Sequence, residues 1–219
     1  LKMKEGKNNL KSSMIMELKE EKKKKRQIQL PETTGEYGVG TAYLQLKDEK
    51  REEILSENGA KNRELSIQVW YPVDKNSEEC RASYANYMIK KFCVSNKIIE
   101  KGKLESIVTN SQMNMTAATG GKKFPVLIFS NGLGIENMCY QGFIEEIVSH
   151  GYIVYSVSHT YFAGITAFYD GKDIANGDFR IENCCGFEPE SEEGRKKIKN
   201  DSYIVIDDLK FVISKLKEL

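Results

Sequence analysis

The residues with the clearest capacity for chemistry are Ser130-Asn131-Gly132-Leu133-Gly134, which stand where a continuous apolar run gives way to helical spacing. Two chemistries use backbone N–H groups at such a turn. A dinucleotide-binding turn needs G-x-G-x-x-G, which here falls on Gly132, Gly134 and Asn137, so the third glycine is missing. It also needs an acidic residue at the end of the next strand, where this chain has Ser158-His159. Nucleotide chemistry is therefore disfavoured. The other use is an oxyanion hole, in which a glycine-flanked amide meets the charge that develops on a carbonyl oxygen during acyl transfer. The amide in the right place is that of Leu133, with Gly132 and Gly134 setting the loop geometry and Asn131 supporting it. On the motif alone, a plain tight turn and an oxyanion donor stand equally open.

The turn needs a strand before it and a helix after it. PVLIFS (125–130) is an unbroken apolar run of the sort found inside a parallel sheet. Tyr140, Phe143, Ile144, Ile147 and Val148 then follow helical spacing, closed by His150-Gly151. Residues 152–157 form a second apolar strand, so the segment predicts a right-handed βαβ unit with adjacent parallel strands. Upstream, Ala42, Leu44 and Leu46 alternate with polar neighbours, and Leu65, Ile67, Val69 and Tyr71 alternate with Ser66, Gln68 and Trp70. These two strands are expected to pair antiparallel at a sheet edge. Residues 73–121 read as an insertion with one short helix near 83–92, and 158–200 as loop with at most one short helix. A last helix begins near Asp201, with Val205, Leu209, Val212, Leu216 and Leu219 on one stripe, widened by Ile206 and Ile213. No strand follows it within the 219 residues.

Charge is unevenly spread. Residues 1–30 hold ten Lys/Arg and four Glu, leaving 23 basic against 28 acidic residues in 31–219. We read 1–29 as a disordered, solvated basic leader, with weak contact to a membrane surface as its functional use and no nucleic acid as partner. The body, 30–219, forms one domain. No apolar stretch of about 18 residues and no apolar leader core is present. That balance slightly favours the cytoplasm, while the first residue, Leu1, leaves room for a targeting segment upstream. Cys80, Cys93, Cys139, Cys184 and Cys185 match no zinc spacing and are read as reduced thiols.

The segments LPETTGEYGVGT (30–41), ELSIQVWYPV (64–73), FPVLIFSNGLG (124–134) and SHGYIVYSVSHTY (149–161), in this order, resemble the platelet-activating factor acetylhydrolase family in its plasma-type and bacterial branch. The resemblance implies an α/β-hydrolase fold and metal-independent hydrolysis of short or oxidised acyl groups from phospholipids or related small-molecule esters. It implies no cofactor, a Ser, Asp, His triad, and the oxyanion amide at Leu133. Two positions depart from the family: Asn131 stands where His is usual, and Ser158 where Asp is common.

In this fold the triad runs Ser, acid, His, with Ser inside G-x-S-x-G. No G-x-S-x-G occurs in the 219 residues, and both histidines, His150 and His159, precede the place where it would stand. His150 reads as a helix cap and His159 as structural. The expectation is therefore a partial α/β-hydrolase fold, a mostly parallel sheet with antiparallel N-terminal edge strands, ending before the nucleophile elbow. Nucleophile, acid and base lie outside the chain, which has no esterase activity alone. A strand and G-x-S-x-G are expected within about 10 to 25 residues beyond Leu219, because helix-to-strand loops in α/β units are short. The competing reading is a non-catalytic binding protein on a shortened hydrolase scaffold, with a nucleotide-dependent oxidoreductase behind both. The Leu133 amide is expected to face an open cleft without an internal acceptor.

Overall fold

The computed structural model describes residues 27–56, 61–75, 80–119, 121–168, 173–175 and 190–217. Most of the basic leader, Cys184, Cys185 and Leu219 lie outside them. A mixed sheet organises the chain. Its strands are β1 (Ile28–Gln29), β2 (Gly38–Glu52), β3 (Asn62–Val73), β4 (Arg81–Ser83), β5 (Ile107–Met113), β6 (Val126–Ser130) and β7 (Ile153–Ser158). They are ordered β1-β5-β2-β3-β7-β6, with β4 on β5. The helices are α1 (Tyr87–Ser95), α2 (Gln141–Ser149) and α3 (Glu192–Leu216).

The βαβ reading holds: β6 and β7 pair in parallel, Val126 with Ile153 through Ser130 with Val157. β2 and β3 pair antiparallel as expected, Gly38 with Val73 and Leu46 with Leu65. They do not form an edge, however. β5 joins β2 in parallel and β7 joins β3 antiparallel, so the hairpin lies inside the sheet. The segment read as an insertion thus supplies a sheet strand. It escaped the apolar pattern because Thr109 and Ser111 are its buried residues. Ser111 is held by Glu145 of α2, which accepts its N–H at 3.1 Å and its Oγ–H at 2.5 Å. A buried carboxylate satisfying a strand's polar groups replaces the oily face that sequence periodicity detects.

Two layers cover the sheet. Ile144 and Val148 of α2 pack on Val39, Trp70 and Val154. Val212, Leu209 and Leu216 of α3 pack on Leu65, Ile67 and Val157, the alternate residues of β3 and β7. α3 begins at Glu192, nine residues before the expected start at Asp201, capped by the Ser191 hydroxyl, which accepts the Gly194 N–H at 2.9 Å. Ile206 and Ile213 face solvent rather than widening its apolar stripe. α1 starts at Tyr87, a few residues later than read, with Asn86 as its cap. Within 158–200 the described residues add a small hairpin, β8 (Ile165–Ala167) with β9 (Asp173–Ala175).

The lead-in loop is clamped to the far end of α2. Tyr37 N–H donates to Ser149 O at 3.0 Å, and Gly35 N–H to Ser149 Oγ at 3.1 Å. A Cβ on Gly35 would lie 2.0 Å from the Ser149 carbonyl oxygen, a backbone atom that cannot step aside alone. Gly35→Ala is therefore expected to cost about 3 kcal/mol, at the high end for overpacking. Urea unfolding reads it directly, and a loss below about 0.5 kcal/mol would show that the loop is not clamped.

Candidate active site

The candidate site is built at the carboxyl ends of β6 and β7, where an open α/β sheet presents its loops. Beyond Ser130 the chain turns sharply. Gly134 adopts a left-handed φ of 74°, and its N–H donates to Phe162 O at 2.7 Å. Ile135 N–H donates to Gly132 O at 3.0 Å. Gly132 passes so close to Tyr140 that an added Cβ would lie 3.1 Å from its hydroxyl. Leu133 N–H, by contrast, has no acceptor among the described residues. Leu133 lines a cavity of about 80 Å³ together with Asn131, Gly132, His159, Phe162, Ala163 and Val205.

Asn131 is fixed beneath this turn. Its side-chain amide donates to Asn137 Oδ1, and its Oδ1 accepts the Ser156 hydroxyl at 3.0 Å. An amide offers a donor and an acceptor at once, which is what this junction uses. Glu136 ties the same turn to β8 by accepting the Ile165 N–H at 2.7 Å. Burial pushes its carboxyl up to about 7 against the backbone N–H groups of Ile165 and Gly164, which pull it down. A carboxyl raised from 4.5 to about 7 on folding contributes stability that is whole below pH 4.5 and lost as pH rises through 7. Wild-type protein should lose roughly 2–3 kcal/mol between pH 5 and 8 from this group, and Glu136→Gln should flatten that slope. Denaturant unfolding at both pH values measures it, and equal slopes for both proteins would contradict the assignment.

His150 caps α2 as read, its Nε2 lying 3.1 Å from Glu146 Oε1 and 3.1 Å from Thr34 Oγ1. His159 occupies a richer position. Its Nδ1 lies 2.9 Å from Asp208 Oδ2 and its Nε2 2.9 Å from Ser130 Oγ. With Nδ1–H donated to the carboxylate, Nε2 is left to accept the Ser130 hydroxyl proton. The sequence places Ser130 in the candidate turn and His159 as a structural residue at a strand end, and it assigns nothing to Asp208, which lies on α3 and meets them only in the fold.

Asp208 is fully buried and shared. Arg63 grips it through Nε at 3.1 Å and Nη2 at 2.7 Å, while Nη1 reaches Glu53 Oε2 at 2.7 Å and Thr160 O at 3.0 Å. Arg51 adds Nη2 to Asp208 Oδ1 at 2.8 Å and Nε to Asp48 Oδ2 at 2.7 Å. Burial alone would raise the Asp208 carboxyl, but the bonds from His159 and Arg63 and their charges outweigh it and hold it at about 2. Three carboxylates thus meet two guanidiniums in one network, of which Asp208 is the member that touches His159. No group of three or more His, Cys, Asp or Glu among the described residues is arranged to hold a metal ion.

No curated protein matches the chain. A solved ferulic acid esterase from Streptomyces cinnamoneus superposes on it with a TM-score of 0.63 at 24% identity, over 84% of this chain and 48% of the esterase. The chain therefore spans about half the length of that structure and shares its α/β fold. Residues 22–202 match the family of platelet-activating factor acetylhydrolase, isoform II. With the Ser130–Gly134 turn on a parallel β6–β7 pair and a match over most of its length, the chain belongs to that family.

Proposed function

We propose that this chain supplies the oxyanion-binding part of a carboxylic ester hydrolase acting on short or oxidised acyl groups of phospholipids or related small esters. The observation that carries the reading is that the Leu133 N–H, beside a cavity at the carboxyl end of the sheet, has no acceptor among the described residues. Leu133 is exposed, so its N–H is open to solvent and to a bound carbonyl oxygen alike, and a donor without an internal acceptor at a strand-to-helix turn is available to developing negative charge. Gly132 and Gly134 shape that turn and Asn131 braces it from below. The nucleophile of this reaction comes from a G-x-S-x-G segment, which the 219 residues do not contain. Turnover accordingly requires a longer polypeptide in which such a segment follows.

The test is an assay of any such polypeptide on glycerophosphocholines that differ only in the sn-2 acyl chain. Acetyl and short oxidised chains should be cleaved and long unoxidised chains should not. Equal cleavage of all chain lengths would remove the short-acyl part of the reading, and no cleavage of any ester would remove the whole.

A further inference from the structure

Ser130, His159 and Asp208 form a line in which a hydroxyl meets an imidazole nitrogen at 2.9 Å and the other imidazole nitrogen meets a carboxylate at 2.9 Å. Nucleophile to base and base to orienting acid are the two contacts that define an activated serine, whatever their order in the chain. The remaining requirements are access, charge and an oxyanion donor. Ser130 is exposed, at the end of β6, while His159 and Asp208 behind it are buried. Asp208 presents its carboxylate to Nδ1, the sign that stabilises an imidazolium as the proton arrives, and Arg51 and Arg63 hold that carboxylate in place. Leu133, three residues along the turn from Ser130 and with no acceptor for its N–H among the described residues, lines the same cavity as His159.

We propose that Ser130 is itself an acyl acceptor for small activated esters, with His159 as its general base and Asp208 as the group that orients His159. The step is redox-neutral. Ser130 Oγ forms a bond to the ester carbonyl carbon as its proton passes to His159 Nε2, and the carbonyl oxygen takes up negative charge toward the Leu133 N–H. The tetrahedral species then collapses by breaking the carbon–oxygen bond to the leaving group, which departs as alkoxide or phenolate, and His159 returns its proton to solvent or to that group. Release of the acyl group is slow. A water would have to reach Nε2 of a histidine that is only 4% exposed. The expected behaviour is one acylation per chain without sustained turnover. The inference shares the Leu133 donor with the ester-hydrolase reading but not its nucleophile, so either can fail alone.

The 219-residue protein is mixed with p-nitrophenyl acetate and followed by phenolate release and by peptide mass mapping. A burst approaching one phenolate per chain, with the acetyl group on Ser130, is expected. Ser130→Ala should abolish the burst, and His159→Gln should slow it by about 10²-fold or more, the usual contribution of a positioned general base. Because His159→Gln could disturb the ion cluster, the wild-type protein carries a second readout. Acetylation of Ser130 should outpace that of other exposed serines by about 10²-fold at neutral pH. A folded protein with no acetyl group on Ser130, or with Ser130 modified no faster than other exposed serines, overturns the proposal. A burst that survives Ser130→Ala overturns it too.

Discussion

Arg63→Met is expected to remove about 3–5 kcal/mol from the folding free energy, the usual consequence of stranding a buried charge. Arg63 is 2% exposed and Asp208 fully buried, with Glu53 almost so. The guanidinium satisfies both carboxylates and the Thr160 carbonyl at once. Methionine fills much of the same space and repairs none of this. Arg51 retains its bond to Asp208 but reaches in from the partly exposed rim, so its compensation is partial. Urea titration of the single variant and of Arg63→Met with Asp208→Asn separates the causes: the second change should recover part of the loss by removing the stranded charge. A loss below about 1 kcal/mol in the single variant would mean that the cluster is hydrated and not a buried network. The pH dependence has a fixed sign. Asp208 falls from 3.8 to about 2 on folding, so its contribution is whole above pH 4 and lost as pH drops toward 2.

The second large effect concerns the turn at Leu133. In a polypeptide that contains this chain followed by a G-x-S-x-G segment, Leu133→Pro should lower kcat by about 10²- to 10³-fold, because it deletes one oxyanion donor. KM should change little, since the donor meets charge that exists only in the transition state. Leu133→Ala keeps the N–H and should retain most of kcat, which separates the backbone role from side-chain packing. Loss of kcat in the alanine variant equal to that in proline would refute the oxyanion assignment. The 219-residue chain alone should show no steady turnover of p-nitrophenyl acetate above buffer.

Part of this was legible in the sequence. The β6–α2–β7 unit could be read because its strands are mainly apolar runs and its helix carries a regular stripe closed by His150-Gly151. The β2–β3 hairpin could be read from alternation, but its place inside the sheet could not. That depends on β5, whose buried Thr109 and Ser111 are matched to the Ala82 carbonyl and Glu145 by hydrogen bonds instead of apolar contact. At the site, Asn131, Gly132, Leu133 and Gly134 are contiguous, and their turn follows from local rules. The Ser130–His159–Asp208 line was not legible, because its members come from β6, the end of β7 and α3 and meet only through tertiary packing. His159 at a strand end and Asp208 within an apolar stripe were the only hints, since an acidic residue beside a buried helix face requires a partner.

The sheet order also has a kinetic side. Two modules are local in sequence, the β2–β3 hairpin and the β6–α2–β7 unit, and their strands join along a seam where Ile67 pairs with Val157. The ion cluster straddles that seam, drawing Arg63 from one module, His159 from the other and Asp208 from a helix later in the chain than either. Contacts closing such long loops are made after the local ones, because chain entropy is lost before they return anything. The cluster thus acts as a late lock on a nearly assembled molecule. Its removal by Arg63→Met should then appear chiefly as faster unfolding, with the refolding rate little changed.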